Sequence, residues 1–241
     1  MPAFIDGAPE SPVRVCDEDP ELFESLPPSA MAQARVRAVG RAVGLGRGRW
    51  DPGEAGHGDG LGLLLLEGLI VQSVAVDGVP RSELVGPGDV LRPGDGDDAA
   101  SVACQCRWHV VDPARLVVLD ARFVAFACRW PPLMLAVVDR LARRHSRLGV
   151  QRAIADQRRV DDRLTLFFWH LADRWGRVCR DGIVLPLPLT HDVLAELVGV
   201  QRPSVTSGLQ RLAAAGTLRR LPNRTWLLDP EPPVAARNGA G

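Results

Sequence analysis

The stretch from Leu189 to Leu228 limits most tightly how this chain can fold; it opens LTHDVLAELVGVQRPSVTSGLQRL and closes TLRRLPNRTWLLD. Thr190 is a good N-cap, and the apolar positions Val193, Leu194, Leu197 and Val198 behind it fall on one helical face. Gly199 supplies the left-handed residue that ends this helix. Pro203 is tolerated only in a first turn, where its missing N–H costs nothing, so a second helix begins just before it. That helix is expected to bury Val205, Leu209, Leu212 and Ala213, with the small Ala195 where the two helices cross. This is helix-turn-helix spacing, which lays the second helix in a DNA major groove. The closing segment reads as a hairpin that turns at Pro222-Asn223.

The rest of the chain is long enough, at 241 residues, for one large domain or two small ones. The apolar run Leu61–Val71 is too short to cross a membrane and is interrupted by Glu67. The N-terminus lacks the basic start and apolar core of a secretory signal. Five scattered cysteines fit reduced thiols better than a disulfide framework, so the expectation is a cytoplasmic protein. Net charge is zero, but its distribution is uneven. Residues 1–100 hold 8 arginines against 17 acidic residues, whereas residues 140–180 hold 11 arginines against 4. The basic part adjoins the helix-turn-helix, as a nucleic-acid partner would require, although a solvated, salt-bridged helix shows some of the same bias.

Taken in order, the chain opens with an acidic, proline-rich segment. Asp19-Pro20 then caps a short helix carrying Leu22, Phe23 and Leu26. Six short strands follow, at Ala42–Leu45, Leu61–Leu66, Ile70–Val76, Arg81–Val85, Ala99–Gln105 and Leu116–Asp120, separated by turns such as Glu67-Gly68 and Pro87-Gly88-Asp89. Short strands with turn signals between them indicate an antiparallel sandwich or barrel. Pro131-Pro132 opens a long helix. Met134, Val137, Leu141 and Leu148 lie on it at alternating 3,4 spacing, with Val138 flanking, as in a seam between two side-by-side helices. Arg144 and Gln151 interrupt that seam, and a helix lying on its own domain's sheet gives a similar pattern. A further helix, Val160–Trp175, is apolar at Leu164, Phe167, Phe168 and Leu171. Asp181-Gly182 turns into a strand, Ile183–Leu187, placed to pair with the terminal hairpin. The domains expected are a β-roll at 1–130, the long helix at 131–157, a winged helix-turn-helix at 158–229 and a disordered tail at 230–241.

In this order the chain resembles the Crp/Fnr family, the cyclic-AMP receptor protein and its relatives. The resemblance covers residues 20–229 and is most specific from Thr190 to Thr206, T-x-x-x-L-A-x-L-V-G-V-x-R-P-S-V-T. GPGDVL at Gly86–Leu91 is similar to the family's turn into its ligand cassette, and LVVLDARFVAF at Leu116–Phe126 to its last strand and short helix. The resemblance implies an α+β fold with an antiparallel, cyclic-nucleotide-binding-like β-roll. It also implies a non-enzymatic transcription regulator, a homodimer on a near-palindromic site in double-stranded DNA, with RNA polymerase as a further partner. Arg202 matches the arginine at the start of the family's recognition helix. Ser204, Thr206 and Ser207 fall on its exposed side, flanked by Gln201 and Gln210, and Arg219, Arg220 and Arg224 on the wing suit phosphates beside the groove. Pro203 and Ser207 stand where charged residues are common in the family, and Gly208 where a buried aliphatic is usual.

The sensor half departs further. Cyclic-nucleotide binders carry Gly-Glu after the Pro-Gly-Asp turn and an Arg-Ser or Arg-Ala pair about ten residues later. Here Arg92-Pro93 stands at the first position, no arginine lies between Pro93 and Cys106, and Asp95, Asp97 and Asp98 would repel a phosphate. Leu148-Gly149 replaces the hydroxyls that hold the base, so cyclic AMP is not expected to bind in the usual way. Cys16 alone is too few ligands for an iron–sulfur cluster. Cys104 and Cys106 alternate on one strand; they are a thiol sensor, half a metal site or, more commonly, two buried cysteines. His57 and His109 are isolated histidines. No cofactor or metal is expected, and the effector is either an unidentified small molecule or none. An alternative function is a ligand- or thiol-redox-sensing protein that works through protein contacts with weakened DNA binding. There is no nucleophile–base pair, phosphate loop or HExxH motif to suggest an enzyme.

Overall fold

The computed structural model describes residues 12–56, 58–93, 102–222 and 224–231. The chain divides into two compact units, residues 1–79 with 84–146 and residues 80–83 with 147–241. Residues 232–241 of the expected disordered tail, His57 and the acidic run at 95–98 lie outside the described residues.

The first unit begins with β1 (Pro12–Arg14), α1 (Val15–Glu18), a 3-10 turn at Pro20–Phe23 and α2 (Pro28–Arg37). Asp19 caps that turn, accepting from the Leu22 N–H at 3.2 Å, as its place before Pro20 indicates. Then come β2 (Val39–Leu45), β3 (Gly48–Trp50), β4 (Gly62–Val76), β5 (Val79–Val85), β6 (Val90–Leu91) and β7 (Cys104–Leu119). They form one antiparallel sheet in the order β1-β2-β7-β4-β5, with β3 also on β7 and β6 also on β4. Two expectations are corrected here. Glu67-Gly68 is not a turn: Leu61–Leu66 and Ile70–Val76 join in one strand, and the register against β7 shifts around Glu67 and Leu69. A bulge bends a strand without ending it, and Gly68, at φ 86°, fits there because a Cβ would strike the Pro113 carbonyl. Likewise β7 runs without a break through Pro113, where two strands were expected.

Two apolar clusters result. Inside the sheet, Trp50 and Trp108 pack edge to face among Leu45, Leu63, Leu65 and Val110. Behind it, Phe23, Phe123 and Phe126 pack with Leu133 and Val137. These last come from α3 (Ala121–Ala127), N-capped by Asp120, and from the long α4 (Pro131–Ala155).

The second unit holds α5 (Val160–Trp175), β8 (Arg177–Cys179), β9 (Gly182–Leu185), α6 (His191–Val198), α7 (Arg202–Ala214), β10 (Leu218–Arg220) and β11 (Trp226–Leu228). The strands make a small antiparallel sheet, β10-β11-β9-β8. The expected pairing of the post-glycine strand with the hairpin is present, since Leu227 faces Val184. Strand β8 was not foreseen; three exposed residues, Arg-Val-Cys, carry no alternation. Fully buried Phe167 and Phe168 on α5 form the core, with Phe168 against Trp226 at 4.8 Å between ring centroids. No single helix among the described residues is long and apolar enough to cross a membrane.

Candidate nucleic-acid interface

Thr190 caps α6, its hydroxyl accepting from the Val193 N–H at 3.2 Å, and Gly199 ends the helix at φ 68°, ψ 43°. Arg163 of α5 donates to the carbonyls of Val198 and Gly199, at 3.4 and 3.3 Å, and so satisfies backbone groups that the helix end leaves open. Helix α7 starts at Arg202 with Pro203 in its first turn. Its buried stripe is Val205, Gly208, Leu209 and Leu212. Ala213, expected in that stripe, is exposed: it lies one residue, about 100°, past Leu212 around the helix. Gly208, where the family usually has a buried aliphatic, marks the close approach of α7 to Leu164 and Asp161.

Away from that stripe, Gln201, Arg202, Ser207 and Gln210 are exposed and Ser204 is half-buried. Pro203, Ser204 and Ser207 line a shallow hollow of about 310 Å3 with Val160 and Arg211. Arg211 is committed elsewhere: it grips Asp161 through two bonds, at 2.8 and 2.6 Å, and holds that carboxyl below the usual carboxylate range. Thr206 does not match its expected place. It is half-buried, its hydroxyl donates to the Arg202 carbonyl at 3.2 Å, and His191 Nδ1 lies 2.9 Å from the same oxygen. An oxygen so engaged inside the protein steadies the helix and is not available for a base edge.

Arg202 is exposed but not loose, since its Nε lies 3.3 Å from an Asp192 carboxylate oxygen. On the wing, Arg219, Arg220 and Arg224 are all exposed. The hairpin closes with the Leu221 N–H on the Thr225 carbonyl and the Arg224 N–H on the Leu221 carbonyl, with Arg224 at φ 63°. Arg220 rests its guanidinium 5.5 Å from the centre of the Trp226 ring, a cation–π placement that fixes where its charge sits. The sequence reading missed His191 and Asp192. Both stand just after the N-cap of α6, and only the crossing of α6 on α7 makes them neighbours of Thr206 and Arg202.

The helical seam is also rearranged. Val137 is 1% exposed inside its own unit's core and Met134 packs against that core, so Val137 cannot face a second chain. The outward stripe is instead Leu135, Val138 and Leu141, at 67, 54 and 38% exposure. Leu148 is half-buried. The interrupting polar residues have partners within their own units. Arg144 donates to Gln72 Oε1 at 2.6 Å and to the Val90 carbonyl at 3.3 Å, while Gln151 donates to the Leu197 carbonyl at 3.2 Å.

In the first unit, the turn Gly86–Asp89 is closed by Asp89, which accepts from the Gly86 N–H at 3.0 Å while 2% exposed. Arg140 donates to the Gly88 carbonyl and pairs with Asp19. Cys104 and Cys106, expected to be buried, are both exposed. They face Val76 and Val74 at the end of the β4–β7 ladder, beyond the segment that β3 covers, and those valines are exposed too. Cys106 reaches a cavity of about 590 Å3 with Arg49, Trp50, Arg107 and Trp108 in its walls. His109 is exposed on the same strand. Among the described residues no group of three or more His, Cys, Asp or Glu side chains is placed to hold a metal ion.

Residues 162–232 match the Crp-like helix-turn-helix domain. No curated protein matches the chain in sequence. Solved structures match in fold. A variant of CprK complexed with OCPA is 14% identical with a TM-score of 0.55, over 90% of this chain and 90% of that one. A cyclic nucleotide-binding domain containing protein from Listeria monocytogenes EGD-e is 19% identical with a TM-score of 0.56, over 70% and 79%. A CooA mutant from Carboxydothermus hydrogenoformans is 20% identical with a TM-score of 0.54, over 69% and 73%.

Proposed function

We propose that this chain, a DNA-binding transcription regulator of the Crp/Fnr family, acts as a homodimer on a near-palindromic operator and does so without cyclic AMP. The observation that carries the reading is the exposed face of α7. Arg202, Ser204, Ser207 and Gln210 stand clear of the packed stripe, and the exposed Arg219 and Arg224 extend the positive surface along the wing. An arginine can reach a guanine edge through two bonds, and hydroxyls and wing arginines suit phosphates. The outward stripe of Leu135, Val138 and Leu141 on α4 supports the dimer, because apolar side chains at helical spacing gain from a second copy. Two-fold symmetry then sets half-sites about one helical turn apart. RNA polymerase, contacted from the bound dimer, completes the proposal.

Independence from cyclic AMP is supported by the cassette turn. The Gly88 and Val90 carbonyls accept from Arg140 and Arg144 of α4, so this segment is tied to the long helix by side chains of the chain itself. Arg92-Pro93 offers no carboxylate for a ribose. Sequencing genomic DNA crosslinked to the protein tests the reading: enrichment of one near-palindromic motif, reproduced by the purified dimer with no added nucleotide, is expected. A monomer bound without sequence preference, or binding that needs cyclic AMP, overturns it.

A further inference from the structure

His191 stands where the three DNA-facing elements of the second unit converge. It is the first residue of α6, its Nδ1 lies 2.9 Å from Thr206 Oγ1 on α7, and Thr206 in turn donates to the Arg202 carbonyl at 3.2 Å. Asp192, next to it, holds Arg202 Nε at 3.3 Å. Four side chains on two helices thus form one clasp at the start of the recognition helix. The charged groups acting on the imidazole are Arg202 from α7, Arg220 from the wing strand β10 and Asp192 from its own helix. Because Thr206 spends its proton on the Arg202 carbonyl, Nδ1 carries the hydrogen of the His191–Thr206 bond. Nε2 then has no partner among the described residues and is the atom left to take a second proton.

Resting on the DNA-binding reading above, we propose that His191 is a positioning residue for the recognition helix which takes up a proton at Nε2 when DNA arrives, so that operator affinity rises as the solution becomes more acidic. Without DNA, partial burial first, and then Arg220 and Arg202, keep the imidazole pKa below the ordinary histidine value of 6.5, with Asp192 opposing them. A phosphate drawn to Arg202 and Arg220 cancels their repulsion and adds an anion within reach of a new Nε2–H donor. The pKa therefore rises on binding, and by linkage affinity grows as pH falls through the interval between the two values. Protonation leaves the Nδ1–H bond to Thr206 intact, so the clasp holds the helix in both states. A phosphate near a neutral imidazole alone would gain nothing from acid.

The test measures binding of the full-length protein to a short duplex selected by it from a random pool, between about pH 8 and pH 6 at fixed salt. Wild-type affinity is expected to rise, by up to about tenfold per protomer for each unit that the pKa moves. His191→Gln, whose amide can still donate to Thr206, is expected to bind with a much flatter pH profile. His191→Ala, which cannot, is expected to bind more weakly across the whole range while melting as a folded protein. An equal pH slope in wild type and His191→Gln overturns the role of His191 and leaves DNA binding standing. Failure to select any duplex from the pool, at acid or neutral pH, overturns the DNA-binding reading itself.

Discussion

Gly208 lies so close to Leu164 that a Cβ on it would come within 2.7 Å of the leucine Cδ1 and 3.2 Å of Asp161 Oδ1. Leu164 is 0% exposed, so its methyl has to repack inside the core to make room. Alanine would gain about 1 kcal/mol of helix propensity over glycine, but overpacking a tight core costs about 1–3 kcal/mol. Gly208→Ala is therefore expected to be less stable by roughly 1 kcal/mol, and Gly208→Val by more. Thermal denaturation of the two variants against wild type reads this directly; an alanine variant that melts higher would show that α5 yields to α7.

Arg202 and Arg219 are expected to separate in DNA-binding assays. Arg202→Ala should cost about 1–3 kcal/mol on the selected site and relax preference at one position of each half-site. Arg219→Ala should weaken binding evenly across sequences and lower the salt slope by about one. The Asp192–Arg202 contact adds a second variant. Asp192→Asn removes the charge that steers the guanidinium, so base preference should broaden while phosphate-driven affinity rises. Titrations of matched and mismatched duplexes at two salt concentrations distinguish these outcomes.

How far these side chains could be read from the sequence differs from one to the next. Thr190, Gly199 and Pro203 announce the helix-turn-helix because each acts through backbone within a few residues of itself. Ala213 was misplaced by one step around the helix, since alanine's small side chain marks neither face clearly. The seam on α4 failed in a different way. Val137 and Val138 are both apolar, and which one faces outward depends on the core around Phe23 and Phe123 claiming Val137 from other parts of the chain. The partners of Thr206, Arg144 and Gln151 are fixed by tertiary crossings that leave no local pattern. Cys104 and Cys106 alternate as buried strand residues do, yet the end of a ladder can run beyond the strand that would cover it.

The outward stripe on α4 predicts that Leu135→Glu with Val138→Glu yields a folded monomer. Both residues are more than half exposed, so the single unit should lose little stability, while two carboxylates on each seam would repel a second copy. Val137→Glu is the contrast: at 1% exposure it places an unpaired charge in the core and should unfold the first unit. Light scattering and circular dichroism on the two proteins tell loss of assembly from loss of fold. A folded dimer from the double variant would move the seam elsewhere.

Asp19 and Arg140 predict a larger effect. The pair is nearly buried, with side chains 11 and 9% exposed, and Arg140 also donates to the Gly88 carbonyl. Asp19→Ala leaves the guanidinium with the Gly88 carbonyl and the exposed Glu21 carboxylate at 3.9 Å and uncaps the 3-10 turn at Leu22, a loss of up to about 3 kcal/mol. Asp19→Asn keeps an acceptor for Leu22 and should recover part of the loss. Urea denaturation followed at the tryptophans checks the order wild type, then Asn, then Ala.

His170 on α5 predicts a loss of stability in acid. Its imidazole pKa is held below the usual 6.5, first by burial and then by Arg147, with Asp173 opposing. A histidine whose folded pKa is depressed is neutral in both states above its unfolded value, so its contribution is complete there. As pH falls below about 6.5 the unfolded chain takes up the proton first, and stability drops until the folded pKa is passed. His191 has the same sign and adds to the slope in the absence of DNA. Replacing His170 by Asn, which does not titrate, is expected to flatten the fall in melting temperature between about pH 6.5 and pH 5. Replacing both histidines should flatten it further. A double variant that loses stability with acid as steeply as wild type would assign the acid sensitivity to carboxylates such as Glu18 beside Arg115 and Asp161 beside Arg211, which are held below their ordinary range.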